Sequence, residues 1–167
     1  MRIRHERRDD YPLVHAVNCA AFETRAEADL VDALRPRAHP IVSLVAQQDT
    51  TIVGHIFFSP VTLGSEPAMT LAGLAPMAVL PAYQRRGIGS ALVRKGLDAC
   101  QRLGFRAVVV LGHSSFYSRF GFASASRFNL RSTYDVPDEV FMAVELVDGA
   151  LRGKSGIVRY HPAFDGM

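Results

Sequence analysis

The chain has only two cysteines, Cys19 and Cys100, among 167 residues, so no disulfide framework is expected. Both lie in segments of helical spacing, where reduced thiols sit in a cytosolic protein, and a cytoplasmic location is the expectation. No apolar run approaches the length of a membrane span, and residues 1–8 are followed by acidic residues rather than an apolar stretch, so no membrane association and no secretory leader are expected. The six histidines are scattered, which leaves a metal ion no ligand cluster. Basic residues crowd only at Arg2, Arg4, Arg7 and Arg8, without interleaved aromatics, and the formal net charge is only +3, a balance that suits a small anionic ligand better than nucleic acid. There is no internal repeat, low-complexity segment or second domain. At this length, with 49% hydrophobic and 21% charged residues, one globular domain spanning 1–167 can bury a core.

What the chain does have is centred on residues 74–93: an apolar run, a proline-bounded turn, and a basic, glycine-containing entry to a helix. Over 90–104, Leu92, Gly96, Ala99 and Leu103, flanked by Val93, Leu97 and Cys100, recur with the three-and-four spacing of a helix buried on one face. Gly104 is its stop. At its start the first amides have no intrahelical partner, and Gly87 and Gly89 carry no side chain to keep a ligand away from them. Arg85 and Arg86 add charge, so a phosphate or pyrophosphate is the expected occupant. A P-loop is not met, because no lysine separates Gly89 from Ser90; a dinucleotide fingerprint is not met, because position 92 is Leu.

Taken in order, residues 2–7 read as an edge strand, and Asp9 or Asp10 then caps a helix that accepts Pro12 in its first turn. Leu13, Val14, Val17, Ala20 and Ala21 form its inward face. A second helix from about Arg25 turns Ala28, Leu30, Val31 and Leu34 inward and ends at Pro36. Thr24-Arg25-Ala26-Glu27 has the spacing of a capping box, which gives Glu27 a structural role without chemistry. Segments 41–46 and 52–58 form a hairpin across the polar residues 47–50, with His55 expected as a hydrogen-bonded sheet histidine. A strand over 70–79, the helix and a continuous apolar strand over 106–111 make a strand–helix–strand unit, hence parallel neighbours. Ser114 can cap a short helix that Gly121 ends. Segments 128–130 and 140–146 can be strands, the latter with Phe141, Ala143 and Glu145 on one face and Met142, Val144 and Leu146 on the other.

Gln84-Arg85-Arg86-Gly87-Ile88-Gly89 resembles the Gln/Arg-x-x-Gly-x-Gly/Ala signature of the GNAT superfamily of acyl-coenzyme A (CoA)-dependent N-acetyltransferases, and Met77-Ala78-Val79 before Pro81 looks like the end of that family's fourth strand. Tyr117, Gly121 and Phe122 match its second signature, Tyr-x-x-x-Gly-Phe, and residues 156–164 resemble the ending of a bacterial subgroup. The resemblance implies an α/β (α+β) fold: a mixed, mostly antiparallel sheet flanked by helices, with a splayed central parallel pair. It implies acetyl-CoA as co-substrate, its pantetheine arm along Met77, Ala78 and Val79 and its pyrophosphate on Gln84, Arg85, Arg86, Gly87, Ile88, Gly89 and Ser90. A primary amine then attacks directly, through a tetrahedral intermediate held at a backbone amide. Tyr117 is the implied proton donor to the leaving thiolate. Residues 71–82 contain no carboxylate, where many relatives place the base, so Glu27, His113 and a water chain all stay open for that role. A non-catalytic acyl-CoA binding module is the alternative function; it would not need Tyr117. A small-molecule or peptide amine is the implied partner, as a monomer or a homodimer.

Overall fold

The computed structural model describes residues 1–64 and 71–166; of the strand expected over 70–79, position 70 lies outside the described residues. Helices α1 (Tyr11–Ala21) and α2 (Ala26–Arg37) cover one face of a mixed sheet, and α3 (Ile88–Leu103) covers the other. The sheet runs β1 (Arg2–His5), β2 (Val42–Gln48), β3 (Thr51–Leu63), β4 (Leu71–Val79), β5 (Ala107–Leu111), β8 (Phe141–Glu145) and β6 (Ala123–Ser124), and every pair on this path is antiparallel except β4–β5. Between these come the short α4 (Ser114–Tyr117), β7 (Leu130–Ser132) and β9 (Gly156–Arg159), with β9 joining the far end of β3 to β7. This is the mixed, mostly antiparallel sheet expected, with its parallel pair at the centre.

Alternation along β3 divides the core. Ile56 and Phe58 pack toward α3 with Leu92 and Val93, and Phe57 packs toward α1 and α2 with Val14, Val31 and Leu34. The two faces expected of β8 are also found: Phe141 and Ala143 join one cluster, Met142 and Val144 the other. At the edge, the Arg4 guanidinium grips Asp10 at 2.7 and 3.0 Å, and Arg35 reaches Glu6 at 2.6 Å while lying over the Tyr11 ring. The basic N-terminal cluster is thus partly consumed internally.

Several expectations need correction. Leu13 is 48% exposed, because α1 seats itself through Val14, Val17 and Asn18, and Leu103 is 43% exposed at the outer end of α3. Pro36 lies within α2, which continues to Arg37; a proline in the last turn removes only one hydrogen bond. The strand expected over 52–58 extends through Pro60 to Leu63, and α3 begins at Ile88, two residues early. Phe128 belongs to a 3-10 turn, so the strand there begins at Leu130, and His113 rather than Ser114 is the N-cap of α4. The capping box at Thr24 is absent: Thr24 Oγ1 accepts from Ala26 N at 3.2 Å, the N-cap is Arg25, and Glu27 makes no reciprocal bond.

Candidate active site

Strands β4 and β5 pair only from Leu71–Ala107 to Leu74–Val110. Beyond that point Ala75 and Pro76 together oppose the single residue Phe57 of β3, and such a bulge bends its strand. β4 continues to Val79, held by β3 on one edge, whereas β5 stops at Leu111. The divergence opens a cleft of about 1210 Å³ that passes through the sheet: Gln84, Arg85 and Phe116 line it on the α3 side, Phe22, Glu27, Tyr160 and Phe164 on the α1–α2 side. Met77 lines the cleft, whereas Ala78 and Val79 lie outside its lining; Met77 and Val79 send side chains toward α3 and Ala78 the other way, and past Leu74 the edge of β4 toward β5 is unpaired.

On the α3 side, the turn is made by two left-handed residues, Arg85 at φ 64° and Gly87 at φ 82°. Gly87 is the N-cap of α3, and no side chain caps that end, so its first amides face outward. Gly89 has ordinary helical backbone; a Cβ there would lie 3.6 Å from Met77 Cε and 3.7 Å from Phe116 Cζ, normal contacts. Ile88 is buried in the core, which leaves only its backbone for a ligand. The Gln84 side chain is engaged within the protein, donating to the Val79 carbonyl at 3.0 Å and bracing the turn against the end of β4. Arg85 and Arg86 are exposed, the latter over the Tyr83 ring. The guanidinium of Arg119 donates to Ser90 Oγ and lies against the rings of Phe116 and Phe120, bringing a third cation to the start of α3. Sequence spacing did not mark Arg119; its only signal was its place inside the second signature.

Tyr117 stands where the two sides meet. Its ring lies on Gly112, at which any Cβ would come within 2.3 Å of the ring, and it meets Phe116 and Phe122 edge-on. Burial pushes its phenol up to about 12, so the O–H form persists through the whole neutral range. His113 is exposed at the lip of the cleft.

On the α1–α2 side, Glu27 Oε1 is buried without a hydrogen-bond partner, and so is Tyr160 Oη. Burial, then the neighbouring phenols of Tyr134 and Tyr117, push the Tyr160 phenol up. The Tyr160 ring is packed between Tyr134, at 5.9 Å, and Phe164, at 5.1 Å. None of these three was given a role by the sequence, although Tyr160 and Phe164 lie in the tail that resembles the ending of a bacterial subgroup. His55, by contrast, lies outside the cleft lining and is fully buried with both nitrogens engaged: Asn18 Nδ2 donates to Nδ1 at 3.2 Å, and Nε2 bonds Ser43 Oγ at 2.9 Å. Burial, and the charge of Arg35, hold it down at about 3, so it is neutral, as a hydrogen-bonded sheet histidine should be. The fold also gathers His15, Asp29 and Asp32, which sequence had left scattered, but they are tied into an exposed network with Arg25 and Arg35. Among the described residues no helix is long and apolar enough to cross a membrane.

The cleft through the split parallel pair has Gln84 and Arg85 of the glycine turn at one side and the buried Tyr117 at its waist, while Arg86, Gly87, Ile88, Gly89 and Ser90 lie outside its lining, and residues 1–122 match the Acetyltransferase (GNAT) family. The chain belongs to that family. It is 39% identical over 166 residues to the uncharacterized N-acetyltransferase YhbS of Escherichia coli K12, with 99% of each chain covered. The structure is similar to that of E. coli YhbS in complex with CoA, at a TM-score of 0.92 and 38% identity over 98% of this chain and 91% of the other. It is similar also to a GNAT acetyltransferase of Brucella melitensis in complex with acetyl-CoA, at 0.81 and 36% over 98% and 97%.

Proposed function

We propose that residues 1–167 act as one acetyl-CoA-dependent N-acetyltransferase domain in which Tyr117 and Glu27 handle the two protons of the reaction. The observation that carries this is the cleft through the sheet, with an anion-ready turn on one side, an unpartnered carboxylate on the other and Tyr117 between them. Acetyl-CoA supplies the activated acyl group. The residues present fit it: the uncapped first turn of α3 with Arg85, Arg86 and Arg119 suits a pyrophosphate, and the free edge of Met77, Ala78 and Val79 suits an extended amide-containing arm.

Glu27 takes a proton from the ammonium, directly or through one water, and frees the lone pair that attacks the acyl carbon. As the new C–N bond forms, an amide on the β4 edge donates to the oxygen on which charge builds. Tyr117 donates its phenolic proton toward sulfur as the C–S bond breaks, and regains one from the nitrogen, which must lose a second proton to become the amide. With a pKa of about 12, it acts chiefly as a hydrogen-bond donor that stabilises the departing thiolate. No protein nucleophile is needed, which agrees with Cys100 being buried and its thiol pushed up. The free thiols also suit the cytoplasm, which we take as the location. The test is an amine panel with acetyl-CoA, read as free thiol release. Release that depends on an added amine is expected; acetyl-CoA binding without transfer to any amine would leave a sensing module instead.

A further inference from the structure

Resting on the acetyl-transfer reading, we propose that the acceptor is a primary amine carried on an apolar, uncharged body, with its ammonium at Glu27 and its body against the rings of Tyr134, Tyr160 and Phe164. Two buried polar atoms on this side of the cleft, Glu27 Oε1 and Tyr160 Oη, have no partner within the protein. Buried polar groups are nearly always satisfied, and both residues line the same cleft, so the two orphans mark where a ligand supplies the missing bonds. The tail over 162–166 packs on α2, which carries Glu27, and Tyr160 packs on Phe164 of that tail, so all three line the same side of the cleft.

The chemistry of the two atoms narrows the ligand. A carboxylate only accepts, and an ammonium offers three donors; a phenol can accept one of them or donate to a neutral oxygen. Aromatic faces add attraction for a cation. Among the described residues lining the cleft, Glu27 is the one carboxylate and Arg85 the one permanent cation, and Arg85 belongs to the turn that opens α3. An acceptor bearing a carboxylate, such as a free amino acid, brings a like charge beside Glu27, with Arg85 the one lining cation and that on the α3 side of the cleft. A polyamine would leave further ammonium groups against rings and aliphatic side chains, where an unpaired charge is costly. One cation on an apolar body satisfies the set. Phe22, Leu30 and Val136 complete the apolar walls.

Phenethylamine and phenylalanine differ by the α-carboxylate alone and make a matched pair, with spermidine as the polycation. With acetyl-CoA saturating, kcat/KM for phenethylamine should exceed that for phenylalanine by about 10²-fold, and should exceed that for spermidine. Tyr160→Phe should raise KM for phenethylamine about tenfold with acetyl-CoA affinity unchanged and the melting temperature no lower, because the ring and its packing stay and only an unpartnered buried hydroxyl is removed. Phenylalanine or spermidine matching phenethylamine would overturn the proposal, as would an unchanged KM in the Tyr160 variant. Acetyl-CoA that binds while calorimetry detects no amine of the panel, and none is acetylated, overturns the acceptor assignment alone. Acetyl-CoA that fails to bind overturns the transfer reading together with it.

Discussion

Two sets of polar side chains lie under the same helices and differ in one respect. Asn18, Ser43 and His55 bond one another in the interface of α1 with β2 and β3, whereas Glu27 and Tyr160, which line the cleft, each keep a buried oxygen without a partner. A histidine bonded through both nitrogens and held neutral is scaffold, because its protonated form would have to displace a bond it already makes. A carboxylate and a phenol left open have kept their bonding capacity for something else. Lack of a partner is not enough by itself: Asn18 Oδ1 and Ser59 Oγ are also orphaned, yet neither residue lines the cleft. Orphaned atoms and access together separate site from scaffold.

The strongest way to break this contrast is Tyr117→Phe. The variant keeps the ring on Gly112 and loses the donor, so acetyl-CoA affinity and thermal midpoint should hold while turnover falls roughly 10²-fold or more, the range for losing a positioned acid. Equal turnover with chemistry rate-limiting would return thiolate departure to solvent. Since the phenol ionises only near about 12, the wild-type pH–rate profile should show no loss from this group between pH 7 and 10.

Glu27→Gln comes next. As a capping residue Glu27 would tolerate glutamine without effect, but the capping bond is missing and the residue lines the cleft. Turnover at pH 7 should fall about 10²-fold with stability unchanged. The deficit should shrink about tenfold per pH unit toward the acceptor's own pKa, as free amine accumulates without help. A deficit that stays flat with pH would assign Glu27 to binding and not to proton removal.

On the scaffold side the expected effect is on stability alone. His55 has a folded pKa of about 3 against an unfolded value near 6.5, so the unfolded chain binds the extra proton and stability falls as pH drops from about 6.5 toward 3. The slope is roughly 1.4 kcal/mol per pH unit, or about 2 kcal/mol between pH 7 and pH 5. Urea denaturation at the two pH values should show this loss in the wild type and not in His55→Leu, whose baseline is lower because Ser43 Oγ loses its partner. Equal pH dependence in both would mean that the imidazole is not the group being titrated.

How far the sequence carried these distinctions depended on whether the chemistry was local. The glycine turn was legible because backbone need and charge sit within seven consecutive residues, and Tyr117 followed from the second signature. The acceptor wall was not, because Phe22, Glu27, Tyr134, Tyr160 and Phe164 come from three distant segments that only the fold unites. Glu27 was misread for the opposite reason: Thr24 and Glu27 have capping-box spacing, but the helix starts after Arg25, and a one-residue shift takes the carboxylate out of reach of its amide. Leu13 shows the same sensitivity, since one position along α1 is the difference between core and solvent.

The smallest effect separates the two glycines of the turn, which sequence treats alike. Gly87 needs its residue type for the fold: at φ 82° an alanine is strained by about 1 kcal/mol even though open space surrounds its Cβ, so Gly87→Ala should lower stability by that amount. Gly89 has no such need. Its backbone is helical, an added methyl meets only normal contacts, and alanine in a helix is favoured over glycine by about 0.5–1 kcal/mol. If the fold were the only constraint, Gly89→Ala would be a plain improvement. We expect it to raise the unfolding free energy by up to that amount and at the same time to weaken acetyl-CoA by about tenfold, because the methyl adds bulk in the uncapped first turn of α3, beside Met77 and Phe116, where a pyrophosphate would approach. Gly89→Val should weaken it further. Calorimetric titration beside a denaturation curve on the same samples reads both quantities, and a Gly89→Ala protein that is more stable and binds acetyl-CoA as tightly as the parent would move the pyrophosphate away from this helix.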